Sequence, residues 1–325
     1  MTAPTVSEDE FIRLWNQTGG SAAAVARALN INQRTVHQRR RGIEKRRGER
    51  ILSHQPGSPD SAIVATTNSF IRRNKFKIEN GQIAVFTDAH IFPGIKTTAR
   101  RSLIHFLNAE RVAAVVDNGD SFDGGLISRH GPLSLNENRP TVDQELEANQ
   151  EFHTEIEEAA KGAQLFWDWG NHDSRWPIRL AERAKEFAGV KGFHFETYFP
   201  RWIFGISLTI NPDATTPCVI KHRYRGGDHA DWNNVMRAGV HIGTGHDHQL
   251  TVRAFNDYRG IRYGFRCGTL SDAGLPIFDY QEANPSQQIS GWMLLTFRDG
   301  KLLRPEPIEV IGDGEVSFRG KIWKV

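Results

Sequence analysis

Five short clusters of oxygen and imidazole donors punctuate this chain, each placed just after an apolar run. They are Asp88-Ala-His90, Gly119-Asp-Ser-Phe-Asp123, Gly170-Asn-His-Asp173, a lone His222, and Gly245-His-Asp-His248. The candidate ligands Asp88, His90, Asp120, Asn171, His222, His246 and His248 include no thiolate. Mixed oxygen and nitrogen sets suit Mn, Fe or Zn and do not suit a structural cysteine site. Seven donors exceed the needs of one tetrahedral ion and match two ions sharing a carboxylate, for which Asp120 is placed. Two ions about 3.5–4 Å apart can hold a hydroxide between them and clamp a phosphate for in-line attack. The bland alternative is that each strand-end Asp or His caps a turn, since an Asp-x-His pair arises readily by chance. Only the set as a whole is informative.

Placing such side chains together requires strands that end beside one another. Residues 83–86 and 112–116 read as buried strands and residues 100–109 as the helix between them, a βαβ unit with the usual right-handed crossover. Chemistry in open α/β sheets sits at the carboxyl ends of such strands, where Asp88 and Asp120 fall. Residues 124–140 read as a loop, 142–162 as a long acidic helix overhanging the site, 164–169 as a third strand, and 177–187 as another helix. From about residue 193 the pattern turns to strands, at 202–210, 217–224, 239–242, 251–255, 261–267 and 292–297. They close as a second sheet.

With 325 residues, 38% hydrophobic and 24% charged, the chain has material for about two folded domains. No apolar run is long enough to span a membrane, and the first ten residues are acidic and polar, unlike a secretory signal. Cys218 and Cys267, each alone in sequence, read as small core residues in a reduced compartment, so a cytoplasmic location without membrane attachment is expected. Net charge is +3, spread unevenly. Residues 34–50 hold eight basic side chains against Glu44 and Glu49, an electrostatic footprint for a polyanion.

That basic block lies in a helical N-terminal region. Phe11, Ile12, Leu14 and Trp15 share one face of a helix over 7–18, stopped by Gly19-Gly20. Ser21 is placed to cap a helix over 22–29, Asn30-Ile-Asn32 reads as a turn, and a third helix runs over 33–47 with Val36 facing back. The stretch from Ala23 to His37 resembles a helix-turn-helix. The resemblance implies a second helix in the major groove, with Gln33, Arg34, Thr35, His37 and Gln38 near base edges. Arg39, Arg40 and Arg41, with Lys45, Arg46 and Arg47 beyond, would then meet phosphates. A module for protein contacts with a solvated basic face is the alternative. The expected organisation is a helix-turn-helix domain over 1–50, a linker over 51–77 with an edge strand near 70–71 and 76–78, and a catalytic domain over 78–325.

The five clusters, in this order from residue 83 to 250, resemble the calcineurin-like metallophosphoesterases. The resemblance implies an α/β fold of two packed mixed β-sheets flanked by helices, beside the small all-α domain. It implies a first divalent ion on Asp88, His90, Asp120 and His248, and a second on Asp120, Asn171, His222 and His246. Mn2+ heads the choice, with Fe, Zn or Mg as alternatives. His172 would face the substrate phosphate and assist the leaving oxygen, with Asp123 orienting it. For the second ion His229 competes with His222. His222 follows the apolar run Cys218-Val-Ile220 and is preferred. His105, His130, His153, His194 and His241 default to structural readings. Arg175, Arg223 and Arg225 read either as phosphodiester contacts or as ordinary surface charges.

The core motifs do not choose a substrate. Asp173 after Gly-Asn-His, and Ser-Phe-Asp after Gly-Asp, are more similar to the DNA-repair nuclease branch than to Ser/Thr phosphatases. Joining a DNA-reading module to a phosphoesterase raises local substrate concentration if the substrate is DNA. The expectation is a two-metal phosphodiesterase acting on nucleic acid, with DNA as substrate and partner. Fusions of this kind resemble bacteriophage proteins and imply a bacterial or phage-infected cytoplasm. The alternatives are a phosphomonoesterase, protein phosphatase or small-nucleotide phosphodiesterase tethered to DNA, and a DNA-binding regulator whose phosphoesterase fold is inert. Oligomeric state, including a homo-oligomer, is left open.

Overall fold

The computed structural model describes residues 6–18, 22–47, 51, 72–129, 139–272 and 287–325. Gly19-Gly20, Ser21, Arg50, residues 52–71 and His130 lie outside the described residues. The chain divides into two compact units, Met1–Asn68 and Ser69–Val325.

The described residues of the first unit form three helices, α1 (Glu8–Gln17), α2 (Ala22–Leu29) and α3 (Gln33–Arg47). Ser7 caps α1 by accepting from Glu10 N, and Asn32 caps α3 by accepting from Thr35 N at 2.8 Å. The turn between α2 and α3 holds Asn30 at φ 52°, a conformation asparagine tolerates. Phe11, Trp15, Val25, Ala26, Val36 and Ile43 form a small closed core.

The second unit carries fifteen described strands: β1 (Arg73–Phe76), β2 (Gly81–Phe86), β3 (Ala114–Asp117), β4 (Gln164–Asp168), β5 (Ile203–Gly205), β6 (Ser207–Ile210), β7 (Cys218–Lys221), β8 (His241–Thr244), β9 (Leu250–Asp257), β10 (Gly260–Cys267), β11 (Gly291–Arg298), β12 (Lys301–Leu302), β13 (Glu306–Gly312), β14 (Glu315–Phe318) and β15 (Lys321–Lys324). They form two mixed sheets. One runs β1-β6-β7-β8-β10-β9. The other runs β15-β14-β13-β11-β2-β3-β4-β5, with β12 hairpinned onto β11. β2, β3, β4 and β5 are mutually parallel, and β11 runs antiparallel beside β2.

Alternation along the strands decides what each face touches. Ile83 and Val85 of β2, with Met293 and Leu295 of β11, face the other sheet and meet Leu208, Ile220 and Phe265. Ala84 and Phe86, one residue out of phase, face α4 (Thr98–Ala109) and α5 (Val142–Ala159), where Leu103, Phe106, Phe152 and Ile156 are buried. A seventh helix, α7 (Ala230–Ala238), packs on the outer face of the six-stranded sheet; α6 (Arg175–Arg183) follows β4. The order is helices, sheet, sheet, helix: an α/β sandwich of two packed mixed sheets, as the family resemblance implied, although the strand read at 292–297 with the second sheet instead pairs with β2 as β11.

Several local expectations change. The single strand expected over 202–210 is two, and they belong to different sheets. The chain crosses between layers at Ile206, whose N–H goes to Arg72 O at 2.7 Å. Part of the stretch read as linker, residues 73–76, is the edge strand β1, paired with β6 and anchored by buried Asn74. The acidic helix α5 does not overhang the site. It buries Leu146, Phe152 and Ile156 in the core and sends Glu145 and His153 beneath the loops that carry the candidate ligands. Strands β12 to β15 had no counterpart in the sequence reading, because Pro, Gly and charged residues break their apolar pattern.

Candidate metal centre

Every candidate ligand sits one to a few residues past the carboxyl end of a strand. Asp88 and His90 follow β2, Asp120 follows β3, and Asn171 follows β4. From the other sheet, His222 follows β7, and His246 and His248 follow β8. The loops are stitched to each other by backbone hydrogen bonds: Asp88 N to Gly119 O at 2.8 Å, His90 N to Asp120 O at 3.0 Å, and Gly245 N to His222 O at 3.0 Å.

The donors converge in three groups whose ligand atoms lie within 4.8 Å of one another: Asp88, His90 and His248; Asp120, His222 and His246; and His90, Asp123 and His172. Within the first two groups the links are short, and Asn171 joins the second. His222 Nε2 is 3.1 Å from Asp120 Oδ2 and 3.2 Å from Asn171 Oδ1. His248 Nε2 is 3.2 Å from Asp88 Oδ1. His222 Nδ1 faces Asn118 O at 2.7 Å, which leaves Nε2 as the atom offered to the site. His229, the competing candidate, is exposed at the start of α7 and belongs to none of these groups.

The backbone here is unusual. Nine described non-glycine residues have positive φ, and five of them are Asp88 (50°), His90 (38°), Asp120 (60°), His246 (75°) and His248 (56°). Such a conformation costs roughly 1–3 kcal/mol each and persists where the surroundings over-determine it. Close approach adds to the constraint. A Cβ on Gly170 would lie 2.0 Å from Asp120 Oδ1, and one on Gly245 would lie 2.1 Å from Thr87 Oγ1. The glycines of the two motifs therefore leave space that Asp120 occupies beside Gly170, and Thr87 and Asp88 beside Gly245.

Electrostatics follow from packing carboxylates and imidazoles together out of water. Burial raises the Asp88 carboxyl, but His248 and His222 outweigh it and hold it down to about 2. Burial likewise opposes charge on His222, and Asp120 and Asp88 overcome it and lift the imidazole to about 10. Asp120 is held well below the usual carboxylate range by His222 and His172, against its own burial. Asp88 Oδ1, wholly buried, accepts no well-aligned hydrogen bond. A buried anionic oxygen whose nearest donor, His248 Nε2 at 3.2 Å, is poorly aligned is what a cation would satisfy. The donor types and this orphaned oxygen fit divalent ions.

His172 lies at the rim, with Nδ1 2.7 Å from Asp123 Oδ1 and Nε2 3.8 Å from Asp120 Oδ2. Asp123 also reaches His90 Nδ1 at 3.1 Å, a second task that sequence reasoning did not find. One carboxylate thus sets two rings, leaving Nε2 of each turned inward. Arg175 donates to Asp123 O at 2.6 Å and places its other nitrogen 3.4 Å from His172 Nε2.

Beneath these residues is a supporting layer that sequence reasoning treated differently. Asp173, read as a branch marker, accepts from Asp120 N (2.8 Å), Phe122 N (3.0 Å), Gly170 N (3.0 Å) and Trp167 Nε1 (3.3 Å), binding two ligand loops together. Asp117 accepts from Gly119 N at 2.9 Å and Ser121 Oγ at 2.6 Å, and meets His153 Nε2 at 3.0 Å. His153 stacks on Trp167, so its structural reading agrees with its surroundings. A polar residue ending a buried strand was the available signal for Asp117.

In the helical unit the candidate nucleic-acid contacts divide. Gln33, Arg34, Thr35, His37, Gln38 and Arg41 are exposed on α3. Arg39 and Arg40 are not. Arg39 donates to Val6 O and lies 5.5 Å from the Phe11 ring; Arg40 lies 5.1 Å from the Trp15 ring and pairs with Glu44. Arg46 and Arg47 pair with Glu8 and Asp9 on α1. The half-buried guanidiniums of Arg39 and Arg40 pack α3 on α1.

The class of protein defined here is a two-sheet α/β sandwich with an Asp, His and Asn cluster at the strand ends of both sheets. No family model and no curated protein matches the sequence. Among solved structures, wild-type Vps29 from Entamoeba histolytica complexed with zinc is similar over 75% of this chain and 98% of that one, at 14% identity and TM-score 0.40. A single mutant of the same protein matches over the same shares at 14% identity and TM-score 0.38.

Proposed function

We propose that the chain is a two-metal phosphoesterase whose substrate is a nucleic-acid phosphodiester, with DNA favoured. The observation that carries the reading is the convergence of seven donors from five separate segments, five of them on left-handed backbone. Asp88, His90, Asp120 and His248 would hold one ion, and Asp120, Asn171, His222 and His246 the other. Such ions supply Lewis acidity and charge neutralisation for water attack on phosphorus. The protein's own residues do the rest. Asp123 accepts from His172 Nδ1 and fixes the ring's angle, and the imidazolium form, favoured by Asp120 and Asp123 against burial, would give its Nε2 proton to the leaving oxygen. Arg175, beside that nitrogen, adds positive charge where the phosphate oxygens would lie.

The DNA preference rests on the exposed polar and basic face of α3, with Arg34, His37, Gln38, Arg41 and Lys45 at helical spacing. One observation favours a second reading, a small-substrate phosphoesterase tethered by this unit. Four arginines of the basic block are engaged within the unit itself, which thins the surface left for phosphates.

The test is a Mn2+-dependent panel of single- and double-stranded DNA, RNA, cyclic nucleotides and an aryl phosphate monoester. DNA should be cleaved, and Asp120→Asn or His90→Ala should abolish cleavage. Normal monoester turnover with no cleavage of any DNA form defeats the nuclease reading. Metal content well under one ion per chain defeats the metal reading.

A further inference from the structure

The segment from Arg223 to His229, between β7 and α7, is exposed at every residue. It begins at the residue after His222, so whatever it presents stands at the edge of the candidate centre. Arg223 is near enough for its charge to act on His246. The segment is nevertheless fixed at several points. Asn234 Nδ2 donates to Arg225 O at 3.1 Å, and Ala230 N donates to Gly227 O at 2.9 Å. Arg266 donates to Asp228 O at 3.4 Å and, with its other terminal nitrogen, to Asp247 Oδ2 at 3.2 Å. Asp247 lies between His246 and His248, so one guanidinium ties this loop to the ligand segment.

The side chains on offer are specific in kind. Lys221, Arg223 and Arg225 bring three cations within five residues, against the single carboxylate of Asp228. Among them stands Tyr224, 43% exposed and part of no apolar core, with Lys221 Nζ 5.3 Å from its ring centre. A bare phosphate group needs only cations near the reacting centre, whereas an exposed aromatic ring beside them suits a substrate that also carries a base. A polynucleotide has use for both, because bases stack on aromatic faces while Arg follows the backbone.

We propose that Tyr224 and Arg223 form a subsite for the nucleotide flanking the scissile phosphate. Tyr224 stacks the base and Arg223 contacts the adjoining phosphate, which makes a polynucleotide strand the substrate class. This rests on the phosphoesterase reading above and deepens it.

The test uses the full chain with Mn2+, comparing a single-stranded oligonucleotide with methyl 4-nitrophenyl phosphate, a diester whose flanking group carries no ring. Tyr224→Ala should lower kcat/KM on the oligonucleotide by about 10- to 100-fold, mainly through KM, and leave the small diester within about twofold. Tyr224→Phe should retain wild-type kinetics, and Arg223→Ala should lower the salt slope of oligonucleotide binding by about 1. Equal losses on both substrates, or no loss on the oligonucleotide, overturn the subsite. Wild-type turnover of the small diester alone sinks the subsite and leaves the phosphoesterase reading standing. Turnover of neither substrate removes both.

Discussion

Gly170→Ala tests whether Asp120 is held where a shared ligand must be. The added Cβ would lie 2.0 Å from Asp120 Oδ1 and 2.4 Å from Asp120 N. Carbon and oxygen rest in ordinary contact at or beyond 3.4 Å, so the carboxylate must retreat by more than about 1 Å. Room for that retreat is short. The same carboxylate accepts from His172 N at 2.7 Å and faces His222 Nε2 at 3.1 Å, and Asp120 N is held by Asp173. A displacement of about 1 Å at a reacting site costs about 100-fold in rate, and overpacking costs about 1–3 kcal/mol in stability. The expected result is a folded protein with fewer than two ions per chain and at least about 100-fold lower kcat/KM on a small diester. Gly189→Ala is the control, since nothing lies within 4 Å of its Cβ. Metal analysis, kinetics and thermal unfolding on the same preparations give the answer. A Gly170→Ala protein with full metal content and wild-type turnover would refute the reasoning.

Two further outcomes are expected. His241, buried and accepting from Tyr263 N at 3.0 Å through Nδ1, is pushed down to about 4 by burial, with Arg262 adding to it. Its folded value lies below the ordinary 6.5, so the unfolded chain binds the extra proton, and stability falls as pH drops from about 6.5 toward about 4. By pH 5 this amounts to about 2 kcal/mol, and denaturant titrations should show that increment missing in His241→Gln. In the helical unit, Arg34→Ala and Arg41→Ala should each weaken DNA binding and lower its salt slope by about 1, read by titration at several salt concentrations. Arg39→Ala should instead lower the unit's stability, read by thermal unfolding. If Arg39→Ala changes the salt slope and leaves stability alone, the packing role assigned to its guanidinium is wrong.

Much of the fold was legible because apolar runs with β-branched residues stop at the candidate ligands. The residues before Asp88, Asp120 and Asn171 are strands for that reason, and β2 alternates as a strand covered on both faces must. The C-terminal hairpins were illegible because strands β13 to β15 carry Glu, Lys and Gly on an exposed face and borrow their order from β11. The break at Ile206 was illegible because β5 pairs with β4 in one sheet while β6 pairs in the other with β1, more than 100 residues back in sequence.

Residue type and strand-end position by themselves determined the donor inventory, since Asp, His and Asn offer short oxygen and imidazole donors and the buried strands fix where their loops begin. Which donors meet was a tertiary matter. The apolar run before His222 already set it apart from His229 in sequence, but that it faces Asn118 and Asp120 across the sheets is seen only in the fold. Asp123 gained a second ring, Asp173 became a clamp on two loops, and Arg39 and Arg40 turned inward onto aromatic rings. In each case the deciding energy is a contact between segments distant along the chain, and a linear pattern carries no record of it.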